Sequence, residues 1–257
     1  MISTAFRTVL GTVVGVIRGV VILVTILAFA SLILASSPVK RRFRDATIAA
    51  WLTSAACRVG IAILGVKVTG DDLDAIRRHD GLLFANHVSW IDIGVLLSIA
   101  PVRFLSATEI RKLPIIGAVA AAIGTVFVDR GSDESRARAR VQVAEAPKRP
   151  PLVIFPEGAV PDVPGLLPFR FGAFELATAG SVAILPTVLV YDRPEAVHWG
   201  AEKLPASMWK AFTDTVHMTV RVEVMTAVAT APNDDAAVLA ATMHRSMAAR
   251  LGLREAM

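Results

Sequence analysis

Apolar residues follow three different rhythms along this chain, and each predicts a different kind of element. From Gly19 to Val39 no residue is charged, and most are Val, Ile, Leu, Ala or Phe. At about 1.5 Å per helical residue this run matches a hydrocarbon core of roughly 30 Å, so it predicts a membrane helix. Arg18 separates it from another apolar stretch, Val9–Ile17, and Pro38 sets its end. A second apolar run, residues 47–64, carries the single charge Arg58. It suits a second membrane helix, an interfacial helix, or a helix packing the first onto the rest of the protein, and the interfacial arrangement is favoured. Beyond Gly70 the rhythm changes again. Short apolar runs at 82–85, 102–106, 125–128, 152–155, 182–186, 188–191 and 216–224 alternate with helical patterns at 90–99, 110–122, 134–146, 173–179 and 234–251. This alternation predicts an α/β domain with a mixed, mostly parallel sheet flanked by helices over residues 70–257. Residues 1–69 are expected to form an N-terminal membrane-anchoring helical segment.

Composition narrows the partners. The 257 residues are 54% hydrophobic and 19% charged, with a net charge of +5, a balance that points to a membrane. A basic protein suits nucleic acid or anionic lipid. Without zinc-finger spacing or an aromatic ribonucleoprotein motif, and with one Tyr in the chain, anionic membrane lipid is expected and nucleic acid is not. Lys40, Arg41, Arg42 and Arg44 follow the apolar run and outnumber Arg7 and Arg18 before it. That asymmetry puts the downstream domain on the cytoplasmic side of the cell membrane. The run is too long for a cleaved signal peptide and lacks a small-residue cleavage site after it. One cysteine, Cys57, excludes an internal disulfide and any multi-thiolate metal site. His198, His217 and His244 have no metal-ligand spacing, so no metal is expected.

The chemistry concentrates where the apolar strand 82–85 meets a helix, in Asn86-His87-Val88-Ser89-Trp90-Ile91-Asp92. An imidazole and a carboxylate five residues apart do not share a helix face. They meet only if His87 lies in the connection before the helix, where His87 can take a proton and Asp92 can orient its ring. The competing interpretation is a helix N-cap, with Ser89 first and Asp92 in the first turn. Two more polar clusters follow predicted strands, Asp129-Arg130-Gly131 and Pro156-Glu157-Gly158, and in parallel sheets the carboxyl ends of strands are where sites form.

In this order, His87 to Asp92, Phe127-Val128-Asp129-Arg130, Phe155-Pro156-Glu157-Gly158 and Ile184-Leu185-Pro186 resemble the blocks of the glycerolipid acyltransferase family, the 1-acylglycerol-3-phosphate acyltransferases and their relatives. The resemblance covers residues 82 to about 187. It implies direct transfer of an acyl group from an acyl thioester, on coenzyme A or acyl carrier protein, to a hydroxyl of a lysolipid, with no other cofactor. His87 and Asp92 would be catalytic. Asn86, Ser89, Arg130, Glu157, Gly158 and Arg170 would contact substrate, Arg130 and Arg170 as anion binders and Glu157 by positioning the acceptor or one of these arginines. A covalent acyl-enzyme is disfavoured, since no Gly-x-Ser-x-Gly elbow occurs and Cys57 lies in the N-terminal segment.

One departure bears on the acceptor. Members acting on lysophosphatidic acid typically continue Glu-Gly with Thr-Arg, whereas Ala159-Val160 stand here. The foremost expectation is 1-acylglycerol-3-phosphate giving phosphatidic acid. Acylation of another lysolipid, such as lyso-ornithine lipid, is the alternative, followed by a non-catalytic lipid-binding role.

Overall fold

The computed structural model describes residues 4–39, 41–129, 131–199, 203–214 and 216–253. A long helix α1 (Thr4–Ser36) is followed by a hairpin, β1 (Arg42–Phe43) and β2 (Ala46–Thr47), and by α2 (Ile48–Ile63). Then come β3 (Val66–Thr69), α3 (Asp74–Arg78), β4 (Leu82–Ala85), α4 (Ile91–Ile99), β5 (Arg103–Ala107), α5 (Thr108–Arg111) and α6 (Ile116–Ala122). The chain continues through β6 (Val126–Val128), α7 (Asp133–Glu145), β7 (Leu152–Ile154), α8 (Phe171–Ala179), β8 (Ile184–Tyr191), α9 (Leu204–Thr213), β9 (Met218–Val224) and α10 (Ala236–Arg250).

Seven strands form one sheet in the order β3-β9-β8-β4-β7-β5-β6. All pairings are parallel except β8 with β9, which gives the mixed, mostly parallel sheet that the alternation predicts. Central β4 shows why its sequence is apolar throughout. Leu83 and Ala85 face a core shared with Ile91, Val95 and Leu96 of α4. Leu82 and Phe84 face Phe174 of α8 and Met243 and Met247 of α10. A strand covered on both faces has no polar side to alternate with.

The structure departs from the expected elements where local chemistry overrides period. The predicted helix 110–122 is broken into α5 and α6, because Pro114 cannot continue a helix and Ile115 takes φ +64°. The runs 182–186 and 188–191 join into one strand, β8. Pro186 lies one residue beyond the β9 ladder, where its missing N–H interrupts no pairing and its carbonyl accepts Met225 N–H at 2.9 Å. The sheet also takes in β3, which precedes Gly70, and α9 adds a helix where none was read.

Arg18 does not end the first helix. α1 runs through it, and the guanidinium turns inward to donate to Phe212 O, at 3.2 Å, and to Asp214 O at the end of α9. Carbonyls at a helix C-terminus lack intrahelical donors, so a cation there is stabilised. Close packing seats the two helices together: a Cβ at Gly15 would stand 2.7 Å from Thr213 Cγ2. Further along, α1 packs on α2 and α6. Its opposite face, with Val13, Val20 and Val24 more than half exposed, is apolar without partners. Residues 8–36 are long and apolar enough to cross a membrane, yet the helix lies along the domain instead of projecting from it. α2 has one of the arrangements open to it, a helix packed between α1 and α4 with Ala49, Ala50, Thr53 and Ser54 buried.

Candidate active site

His87 leaves the carboxyl end of β4 before α4 begins, and Asp92 sits in the first turn of that helix. The two meet, with His87 Nδ1 2.7 Å from Asp92 Oδ2. The same oxygen accepts the N–H groups of Val88, at 2.7 Å, and Ser89, at 2.9 Å. Oδ1 accepts the Tyr191 hydroxyl. Asp92 is fully buried, so these donors replace the water it has lost. The helix-cap and catalytic-pair interpretations describe one carboxylate: it reaches back to the N–H groups before α4 and also orients the imidazole. Because the carboxylate accepts from Nδ1, the proton sits on Nδ1 and Nε2 keeps its lone pair. Nε2 has no hydrogen-bond partner among the described residues, and the ring stacks on Phe155 with centroids 4.0 Å apart.

Glu157 braces this loop from β7. Its Oε1 accepts His87 N–H at 2.7 Å and its Oε2 accepts Leu167 N–H at 2.8 Å. Burial pushes its carboxyl up to about 7, against the pull of those two N–H groups. Gly158 follows at φ +78°, a conformation that glycine adopts without steric cost and that lets the chain turn straight after the buried acid. Arg170 reaches this segment through a main-chain contact, its Nε donating to Glu157 O at 3.2 Å, so the Glu157 carboxylate is not paired with it.

Asn86 and Ser89 have their side chains turned into the protein. Asn86 pairs with both backbone groups of Leu189, donating at 3.1 Å and accepting at 2.7 Å, and so continues the β4–β8 ladder by one side chain. Ser89 Oγ donates to Val197 O at 2.6 Å, tying the loop to the segment after β8. Arg130 lies outside the described residues. Tyr191 and Phe155, which sequence reasoning did not select, join the site from β8 and the end of β7. The one available signal was that the chain's single Tyr ends a predicted strand.

His87 forms part of the wall of an apolar cavity of about 800 Å³. α1 contributes Ile26, Phe29 and Ile33, α2 contributes Cys57, and α6 contributes Ile116 and Val119. Gly158, Ala159 and Val160 line it as well, and no Lys or Arg does so among the described residues. Cys57 is thus nearer the site than its position in the sequence suggests. Burial pushes its thiol up to about 12, so it is a neutral wall group and a poor nucleophile. A base with a free nitrogen on the wall of a long apolar cavity is equipped to activate a hydroxyl beside a fatty chain.

The chain resembles known proteins in sequence and in fold. Residues 65–190 match the Acyltransferase family. The chain is 36% identical over 128 residues to the lyso-ornithine lipid O-acyltransferase of Pseudomonas aeruginosa, covering 50% of this chain and 48% of that protein. The protein of the same description from Rhizobium meliloti is 34% identical over 179 residues, covering 68% and 59%. The matches thus span about half the length of these curated relatives. A 1-acyl-sn-glycerol-3-phosphate acyltransferase of Neisseria meningitidis is 29% identical over 174 residues, covering 65% of this chain and 68% of its own. In fold, the chain is similar to the crystal structure of the 1-acyl-sn-glycerophosphate acyltransferase PlsC of Thermotoga maritima, with a TM-score of 0.70, 16% identity and 96% of each chain covered. The His87–Asp92, Phe127–Asp129 and Phe155–Gly158 blocks all fall inside the matched residues, at the carboxyl ends of the parallel strands β4, β6 and β7, and the comparisons support the glycerolipid acyltransferase family for this chain.

Proposed function

We propose that this protein transfers a fatty acyl group from an acyl thioester, on coenzyme A or acyl carrier protein, to the free hydroxyl of a lysolipid. The observation that carries the proposal is His87, held by Asp92 through Nδ1 and facing an apolar cavity with its other nitrogen unpaired among the described residues. His87 Nε2 takes the proton of the acceptor hydroxyl as its oxygen attacks the thioester carbonyl carbon. The tetrahedral intermediate collapses, the C–S bond breaks, and the departing sulfur takes the proton from the imidazolium, leaving an ester and a free thiol. Asp92 keeps the ring oriented and stabilises its charged form. The cavity takes the acyl chain, and its volume lies within the range of small-molecule sites.

The foremost acceptor is 1-acylglycerol-3-phosphate. A second acceptor class, a lysolipid without a terminal phosphate such as lyso-ornithine lipid, is favoured by a specific observation: Ala159 and Val160 line the apolar cavity, and no described cation does. A desolvated phosphate needs cationic or hydrogen-bonding partners. In the first case Arg130 and Arg170 supply the charge. α1 attaches the enzyme to the membrane by its outward apolar face, and the excess of basic residues after it puts the catalytic domain on the cytoplasmic side. Incubating membranes that carry the protein with a labelled acyl thioester and a panel of lysolipids tests the proposal. Labelled diacyl product that depends on His87 supports it, and absence of product from every lysolipid overturns it.

A further inference from the structure

Between α5 and α6 the chain does two things that suit water poorly. Pro114-Ile115-Ile116 closes a γ-turn, with Ile115 at φ +64° and ψ −60° and Ile116 N–H donating to Pro114 O at 2.6 Å. That turn is rare for any L-residue and strained for a β-branched one. Leu113, Ile115 and Ile116 stand 39%, 36% and 53% exposed side by side. The backbone beneath them is nevertheless mostly satisfied. Lys112 N–H donates to Glu109 O, Leu113 N–H to Ile110 O and Gly117 N–H to Leu113 O, while Pro114 has no N–H to pair. With these donors and that of Ile116 paired internally, only the Ile115 N–H of the segment is left without a partner among the described residues, and such a segment with apolar side chains is suited to a medium poor in water.

Its neighbours identify that medium. Ile115 and Ile116 line the same cavity as Ile26 and Phe29 of α1, and α6 packs directly on α1. The exposed loop is thus continuous with the helix that is apolar enough to enter a membrane. Arg111 and Lys112 precede the apolar residues, are exposed, and outnumber the one nearby acid, Glu109. Cations beside an apolar tip match an anionic lipid surface, with the charges at the headgroups and the tip among the acyl chains.

We propose that residues 112–116 form a bilayer-inserted lip of the cavity, over which lipid passes from the membrane toward His87. The route to His87 rests on the acyl-transfer proposal, whereas insertion of the lip does not. The test is made on the full chain with Cys57→Ala and Leu113→Cys, carrying a nitroxide at residue 113, in vesicles of phosphatidylcholine with phosphatidylglycerol. Paramagnetic relaxation should show residue 113 more accessible to oxygen than to a water-soluble nickel chelate. A label at Val238→Cys, exposed on α10 at the other face of the sheet, should show the reverse. If residue 113 is as open to nickel as residue 238, the lip does not insert and the proposal fails, whatever the enzyme's activity. Equal oxygen access in vesicles of phosphatidylcholine alone would remove the anionic headgroups from it. Leu113→Glu is the functional arm. It should raise KM for a lysolipid presented in vesicles several-fold and leave turnover of a short-chain, monomeric lysolipid unchanged, and an unchanged KM in vesicles would remove the route over the lip.

Discussion

The Tyr191 hydroxyl donates to Asp92 Oδ1 while His87 Nδ1 engages Asp92 Oδ2, so the carboxylate that orients the base is itself held from the end of strand β8. The contact is buried, where a hydrogen bond to a charged acceptor is strong and an unmade one is costly. Tyr191→Phe leaves Oδ1 without its donor and frees the carboxylate to move. With the carboxylate less firmly held, the ring it orients is less well placed, and kcat should fall by about tenfold, equivalent to about 1.4 kcal/mol, with KM little changed. A variant that lost stability but kept the wild-type kcat would show that Tyr191 only packs.

His87→Ala and Asp92→Asn should separate chemistry from folding. Removing the base is expected to lower acyl transfer by about 10² to 10⁴ while thermal unfolding in detergent stays close to wild type, because the ring's contacts are a stack on Phe155 and the Asp92 bond. Asp92→Asn should lower both. Its amide has one uncharged oxygen for the donors of His87, Val88, Ser89 and Tyr191 that the two carboxylate oxygens now accept, and losing a charged acceptor in a buried site costs about 1–3 kcal/mol. Equal unfolding temperatures for the two variants would contradict this assignment.

Glu157 gives stability a pH dependence of known sign. In the folded protein its carboxyl keeps its proton up to about 7, whereas the ordinary value is 4.5. Folding therefore takes up a proton between these values. The contribution of this group is complete below about 4.5 and is lost as pH rises through 7. Glu157→Gln removes the titration and also one of two acceptors, since His87 N–H and Leu167 N–H need an oxygen each. Unfolding measured from pH 4.5 to 8 should show a variant less stable than wild type throughout. The gap should be widest at the acid end and narrow toward neutral pH.

Truncation before Lys40 should do more than release the protein from the bilayer. α1 supplies Ile26, Phe29 and Ile33 to the cavity wall and covers α2 and α9. The shortened chain is expected to lose acyl transfer even with detergent-dispersed substrates. It should also unfold at lower temperature, having exposed apolar surface worth about 25 cal/mol per Å². Normal turnover by the truncated chain in detergent would mean that the wall is dispensable.

The acceptor can be settled by one substitution and two substrates. Val160 lines the cavity, so Val160→Arg puts a cation where Thr-Arg-bearing relatives of the family carry one. If the natural acceptor lacks a terminal phosphate, the variant should gain on lysophosphatidic acid and lose on lyso-ornithine lipid, measured as kcat/KM. If wild type already prefers lysophosphatidic acid, Arg170→Ala should raise its KM by an amount corresponding to about 1.5–3 kcal/mol.

Local sequence determined what short-range physics can determine. The continuous apolar run predicted a helix fit for lipid, and β4 followed from four apolar residues in a row ending at Asn86-His87. The pairing of His87 with Asp92 followed from a spacing that works only across a strand-to-helix boundary. Departures were also local where an unfamiliar conformation was needed, as at Ile115, whose γ-turn no period announces. The remainder belongs to contacts between residues far apart in the chain. Tyr191 lies ninety-nine positions from Asp92, and Glu157 seventy from His87. Neither partner is implied by its neighbours, because strand order in a sheet is fixed by which apolar faces bury together. The same holds for Asn86 and Ser89, polar residues that read as substrate ligands until β8 and the segment after it supply their backbone partners. The cavity is the furthest from sequence of all. Its walls come from α1, α2, α6 and the loop after β7, and only packing leaves unfilled the space between elements that are each, by themselves, simply apolar.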